Sequence, residues 1–389
     1  MRQVLLDGGP TGVAELATAL VQALDGGPAV LPLDATSPTL DVLRAAMAPT
    51  EPVEPDTAVI IATSGSTGEP KGVLLSAAAL RASAEATHDR LGGPGRWLLA
   101  TPAQYIGGLQ VLTRSLLAGS QPSIVDLAGP FRAESFVAAA REALAGDGPR
   151  YTAMVPTQLA RLLDAGGAGL AALRAFDAVL LGAAATSPEL RERAETAGIA
   201  VVSAYGMSET ASGCVYDGVP LAGLEVRLAE PVDGVGPVEL AGPMLAHGYR
   251  LRPDLTSAAF ADGWFRTGDA GRMVGGQLEI LGRTDDMVNT GGVKVSPVLV
   301  ERVLLAQPGV REACVLGVPD QRWGQAVVAA VVPADPAAPP DDEHLRAAVR
   351  AEAGRAAVPK RIVFVGELPL RGPGKIDRMA VRALFADHR

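Results

Sequence analysis

The densest group of residues able to do chemistry is Thr63-Ser64-Gly65-Ser66-Thr67-Gly68-Glu69-Pro70-Lys71-Gly72. Its glycines permit close backbone approach and positive φ, and its hydroxyls and N–H groups can face an anion. Lys71 adds a point charge suited to phosphate. The stretch follows the apolar run Ala58-Val59-Ile60-Ile61, which predicts a buried strand. No Gly-Lys-Ser/Thr opens a helix at the Walker A spacing. By itself the stretch is compatible with a phosphate loop and with a plain flexible surface loop.

Later segments carry complementary groups. Leu181-Gly182-Ala183-Ala184-Ala185 ends a predicted strand, where ligands of α/β sheets sit and where small residues let a flat ring lie on the backbone. A packing turn is an equal alternative. Ala204-Tyr205-Gly206-Met207-Ser208-Glu209-Thr210 also follows a predicted strand, and offers a stacking face, a hydroxyl and a hard oxygen ligand for Mg²⁺; locally it could equally be a capped helix start. Gly268-Asp269 places a carboxylate after a predicted glycine turn, able to accept from both ribose hydroxyls or simply to form the turn. Gly282-Arg283-Thr284-Asp285-Asp286 and Thr290-Gly291-Gly292-Val293-Lys294 read as a junction or as an acidic surface turn. Pro373-Gly374-Lys375-Ile376-Asp377 sets an isolated lysine on a turn, where a solvated side chain is the default. Only four lysines occur among the 34 basic residues, and three of them, Lys71, Lys294 and Lys375, fall in these Gly-rich segments.

The elements that must position these groups alternate strand and helix from the N-terminus to about residue 203, which predicts a doubly wound α/β sheet. After Ala204 short strands and turns suggest a small antiparallel, β-barrel-like unit. The remainder reads as a small α+β domain, so the division is residues 1–282 and 283–389. An apolar share of 48% and a charged share of 20% describe a globular chain. A net charge of −9 argues against non-specific nucleic-acid binding. Cys214 and Cys314 form neither a disulfide framework nor a metal motif. An early acid, Asp7, interrupts any signal-peptide core, and no stretch predicts membrane insertion. A cytoplasmic enzyme is the expected class. The oligomeric state is open, with a homodimer as one expectation.

Together and in order, these segments resemble the acyl-adenylate-forming (AMP-binding) superfamily of acyl- and aryl-CoA ligases, carrier-loading adenylation domains and luciferases. The resemblance spans about residues 58–380 and implies a large α/β domain followed by a small mobile one. It also implies ATP, Mg²⁺ and CoA as partners of a carboxylic acid: the acid attacks the ATP α-phosphate, and the CoA thiol then displaces AMP. On this resemblance Thr63, Ser64, Gly65, Ser66, Thr67, Gly68 and Lys71 manage the β/γ-phosphates. Gly182, Ala183 and Ala184, with Tyr205 and Gly206, enclose adenine. Ser208 contacts the α-phosphate, Glu209 holds Mg²⁺, and Asp269 and Arg283 bind ribose. Lys375 is the catalytic lysine of the first step, and Asp285 the pivot about which the small domain turns. Gly291, Gly292 and Lys294 then approach the thioester site on the CoA side.

Within the superfamily, three features resemble compact ligases that join an aromatic keto-diacid to CoA. These are the short region before the phosphate loop, the segment Pro102–Leu116 and the segment Glu209–Leu221. A ligase for another aryl or fatty acid and a carrier-loading adenylation enzyme are the alternatives. A non-catalytic AMP-binding regulator is disfavoured, because Glu209, Asp269, Arg283 and Lys375 are all present. Tyr105 stands where the family usually has histidine; with Gly108 it would line the acyl pocket. Arg114 could pair with a substrate carboxylate, although a place on the solvent face of a helix is the plainer expectation for an arginine.

Overall fold

The computed structural model describes residues 1–64, 69–184, 186–232, 234–370 and 376–386, with only the backbone of Ser64. Gly65, Ser66, Thr67, Gly68 and Lys375 lie outside the described residues. Two units are present. The larger comprises Met1–Ala183, Arg193–Arg227 and Glu239–Arg266, and the other Ala184–Glu192, Leu228–Val238 and Thr267–Arg389. Three of the five boundaries between these segments fall inside strands, Glu225–Leu228, Val235–Ala241 and Trp264–Val274. These belong to the β-barrel-like subdomain expected after Ala204.

In the larger unit, β1 (Arg2–Leu6), β2 (Val30–Asp34), β3 (Val59–Ser64) and β4 (Pro70–Leu75) form one sheet. β1, β2 and β3 are parallel, whereas β3 and β4 form an antiparallel hairpin. β4 pairs in turn with the short strand Gly248–Tyr249. A second sheet holds β5 (Arg96–Leu99), β6 (Ser123–Ile124), β7 (Arg150–Met154), β8 (Ala178–Leu181), β9 (Val201–Met207), β10 (Ser212–Tyr216) and β11 (Val219–Pro220). Its order is β11-β10-β9-β8-β7-β5-β6, parallel from β9 to β6 and antiparallel across β9, β10 and β11. Every residue of β8 is buried, as strands covered on both faces require.

Helix boundaries follow local chemistry. Pro10 opens helix Pro10–Leu24, and Val13, Leu16, Leu20 and Leu24 recur at helical spacing on its buried face. Ser76 caps helix Ala77–Leu91 by accepting from the Ala79 amide at 3.0 Å. Gly92, at φ 98°, ends that helix in the left-handed region.

The other unit is built on the hairpin of strands Val310–Asp320 and Gly324–Pro333, whose register runs from Val310↔Pro333 to Asp320↔Gly324. Period-two alternation assigns its two faces. Val315, Val327, Ala329 and Val331 pack with Val300, Leu304, Leu345 and Val349 from two helices. Cys314, Leu316, Val328, Ala330 and Val332 pack instead with Leu368, Val381 and Phe385.

Candidate active site

The described flanks of the stretch that opens the site are paired antiparallel strands. Thr63 pairs with Lys71 and Ser64 with Pro70, so Lys71 projects from a strand. Tyr249 pairs with Val73, two residues along β4 from Lys71, which sets both side chains on one face at diagonal spacing. On the opposite face of β4, Gly72 leaves room for Arg250: a Cβ there would meet the Met47 sulfur at 2.6 Å and the Arg250 side chain at 3.2 Å.

Glu209 is brought to the same place by the end of β9. Tyr205, Gly206 and Met207 remain in that strand instead of following it, and Ser208–Thr210 form a single 3-10 turn. The Thr210 hydroxyl fastens the turn, donating toward the carbonyls of Met207 and Ser212 and accepting from the Met207 amide. Ala211 follows in left-handed geometry, and its carbonyl accepts from the buried Ser83 hydroxyl at 2.9 Å. A Cβ on Gly206 would lie 2.0 Å from the Ser212 carbonyl oxygen, a collision with backbone that no rotamer relieves, so only glycine fits. The Glu209 carbonyl accepts from the Ala246 amide at 2.8 Å.

Three side chains therefore converge. Lys71 Nζ lies 3.2 Å from Glu209 Oε1 and 3.3 Å from the Tyr249 hydroxyl, and the Tyr249 hydroxyl donates to the same Oε1 at 2.8 Å. The ammonium also stands 4.4 Å from the centroid of the Tyr249 ring. Glu209 is 8% exposed. Tyr249 is the residue that sequence reasoning missed, for no Gly-rich turn marks it; only strand pairing carries it to Lys71.

Gly182 and Ala183 leave β8 beside β9, because Leu181 is in register with Ser203. Ala183 holds φ 66°, a left-handed value costly for a residue with a Cβ. Tyr105 precedes helix Ile106–Leu117 and is 40% exposed, with burial first and then the Asp34 charge raising its phenol above the usual range. Gly108 has a packing reason, since a Cβ would come within 2.4 Å of the Pro102 carbonyl.

Arg114 overturns the solvent-face expectation: it is 1% exposed. Its guanidinium lies 5.0 Å from the Trp97 ring centroid, and Nη2 donates to the Tyr216 hydroxyl at 3.4 Å. Burial lowers its pKa, against the pull of Tyr216. The helix turns this residue inward, where an aromatic face replaces water.

In the other unit, Asp269 sits within the long strand Trp264–Val274, opposite Arg283 of strand Gln277–Arg283, and not in a glycine turn. A Cβ on Gly268 would lie 2.3 Å from the Arg283 guanidinium, so that glycine lets the arginine cross the strand. Arg283 donates to both oxygens of Asp285, at 3.1 and 3.3 Å, and its Nη1 is 3.9 Å from Asp269. Gly291 and Gly292, at φ 62° and 83°, form the two-residue turn between Val288–Thr290 and Val293–Val295. Trp323 packs on Gly291, and Arg322 and Lys360 flank its ring at 4.8 and 5.3 Å, a cationic aromatic surface. Lys294 is exposed on the second strand of that hairpin.

Glu209 presents the donor chemistry that a nucleotide-borne Mg²⁺ needs. Among the described residues no three His, Cys, Asp or Glu side chains group to hold a metal alone. Mg²⁺ bound to phosphates takes one or two carboxylates and completes its shell with phosphate and water. One buried carboxylate, hydrogen-bonded through Oε1, fits that requirement.

The model of the AMP-binding enzyme matches residues 9–250, and that of the AMP-binding enzyme C-terminal domain residues 299–375. The chain belongs to the AMP-binding enzymes. It is 45% identical over 342 residues to a probable 2-succinylbenzoate–CoA ligase of Mycobacterium tuberculosis strain H37Rv, covering 86% of each chain. Among solved structures it is similar to an amide bond synthetase from Marinactinospora thermotolerans, at 30% identity and TM-score 0.78, over 98% of this chain and 80% of that one. It is also similar to an o-succinylbenzoate coenzyme A synthetase from Bacillus subtilis in complex with AMP, at 25% identity and TM-score 0.74, over 99% and 83%. Lys71, Glu209 and Tyr249 all fall within the residues matched to the AMP-binding enzyme. Among the described residues no helix is long and apolar enough to cross a membrane.

Proposed function

We propose that the protein is an AMP-forming ligase that joins 2-succinylbenzoate to CoA, a step of menaquinone biosynthesis. The observation that carries the substrate is the 45% identity, over 86% of both chains, to the mycobacterial relative of that name. In the first step a carboxylate oxygen bonds to the α-phosphorus of ATP, the bond to the bridging oxygen breaks, and pyrophosphate leaves. In the second, the CoA sulfur bonds to the acyl carbon, AMP leaves with the electron pair, and the thiol proton passes to solvent.

Thr63 and Lys71 face the leaving phosphates, with Ser64, Gly65, Ser66, Thr67 and Gly68 completing the loop. Ser208 contacts the α-phosphate and Glu209 holds Mg²⁺, which when bound offsets charge on the phosphates. Gly182, Ala183, Ala184, Tyr205 and Gly206 take the adenine; Asp269 and Arg283 take the ribose. Lys375 stabilises the charge developing on the carboxylate and α-phosphate oxygens. Tyr105 and Gly108 line the acyl side; Arg114, buried against Trp97 and Tyr216, would have to exchange the Tyr216 hydroxyl for the second carboxylate of the diacid. Residues 283–389 form the mobile domain, pivoting at Asp285, and Gly291, Gly292 and Lys294 serve the CoA side. The cationic surface around Trp323 supports phosphate binding there. The setting is the cytoplasm, and a homodimer is a compatible assembly.

Purified protein with ATP, Mg²⁺, CoA and 2-succinylbenzoate is expected to release AMP and form the thioester. Turnover of benzoates or fatty acids without turnover of 2-succinylbenzoate would overturn the substrate.

A further inference from the structure

A glutamate side chain has three torsions, and a lysine ammonium that faces it squarely captures both carboxylate oxygens; Lys71 lies 3.2 Å from Oε1 of Glu209. A carboxylate so captured would be a poor metal ligand. The arrangement around Glu209 prevents this. We propose that Tyr249 is a positioning residue for Glu209, occupying Oε1 so that Oε2 is presented to a nucleotide-borne divalent cation. The inference rests on the nucleotide-binding reading above and adds a residue to it.

The Tyr249 hydroxyl makes the shortest contact in the cluster, donating to Oε1 at 2.8 Å against 3.2 Å for Lys71. It also accepts from Lys71 at 3.3 Å, drawing part of the ammonium's hydrogen-bonding away from the carboxylate. Tyr249 is itself held independently of Glu209. Its amide donates to the Thr256 hydroxyl at 2.9 Å, its strand pairs with β4, and its ring lies 5.9 Å from that of Phe260. The adjacent Arg250 is buried and donates to the carbonyls of Ala48, Glu51 and Pro52 and to Glu54, pinning the two-residue strand. The fixed partner is thus the tyrosine and the orientable one the glutamate. Residues that orient a metal-binding group in this way contribute roughly tenfold to a hundredfold in metal affinity.

Tyr249→Phe removes the hydroxyl and keeps the ring packing. Mn²⁺ binding to the full-length protein with saturating ATP, read by electron paramagnetic resonance, is expected to weaken about tenfold. Metal-free AMP affinity should be unchanged, and the variant should still unfold cooperatively, at a somewhat lower melting temperature for the lost hydrogen bond to a buried carboxylate. Glu209→Gln should weaken Mn²⁺ further, and the double variant should be no worse than Glu209→Gln alone. Replacing Tyr249 by p-aminophenylalanine, which restores a donor, should recover the loss. Unchanged Mn²⁺ affinity in Tyr249→Phe, multiplicative losses in the double variant, or an equal loss of AMP affinity would each overturn the proposal. The binding readout needs no turnover, so wild-type protein that binds Mn²⁺–ATP but adenylates no acid would refute the proposed function while leaving this test intact.

Discussion

Arg283 holds Asp285 with two hydrogen bonds while its third nitrogen stands 3.9 Å from Asp269. One planar cation is shared between the carboxylate assigned to ribose and the residue assigned to the pivot. A lysine ammonium is a point charge and cannot reproduce the fork. Arg283→Lys is expected to raise the KM for ATP about tenfold, equivalent to about 1.4 kcal/mol. An unchanged KM in steady-state adenylation assays would remove Arg283 from the nucleotide site.

The same pair has a pH signature. Burial pushes the Asp285 carboxyl up, but the Arg283 bonds and charge outweigh it and leave the group below its ordinary value of 3.8. A lowered folded-state pKa stabilises above the unfolded value and loses that contribution as pH falls through the folded one. The melting-temperature gap between wild type and Asp285→Asn should hold between about pH 7 and about pH 5 and close below about pH 4. A gap that persists in stronger acid would mean the carboxylate is not its source.

Lys375 is assigned to adenylation alone. Lys375→Ala should reduce acyl-AMP formation by roughly a hundredfold to a thousandfold, the scale for removing one donor from a developing charge. Thioester formation from supplied acyl-AMP and CoA should stay near wild type. Equal losses in both half-reactions would contradict the assignment.

Arg114 offers a stability test and a specificity test. Among the described residues its guanidinium meets an aromatic face and a phenol but no carboxylate. Replacing a buried cation by an apolar side chain of similar length relieves desolvation, so Arg114→Met should melt no lower than wild type. Arg114→Ala, which leaves a void, should cost about 2–4 kcal/mol by chemical denaturation. If Arg114 receives the second substrate carboxylate, Arg114→Met raises the KM for the acid and leaves that for ATP unchanged.

Cys214 and Cys314 are both buried, and burial pushes each thiol up to about 12. At about pH 8 the thiolate fraction is then negligible. A chromogenic disulfide reagent should titrate no thiol in the native protein and both after denaturation. Rapid native labelling would show that one of them is accessible.

The order of Gly-rich and acidic segments determined the family and supplied the groups proposed for the site, because nucleotide chemistry needs phosphate-binding loops, a metal-binding carboxylate and a ribose acceptor whatever surrounds them. Strand and helix alternation likewise marked the α/β body, since buried parallel strands must be apolar throughout. Long-range pairing was not legible. The diagonal placement of Tyr249 beside Lys71 depends on two strands joining across 178 residues, and no local pattern encodes that. Nor could spacing reveal that Asp269 faces Arg283 across a ladder, or that Arg114 turns inward. A motif states which groups are available; the sheet register decides which of them touch.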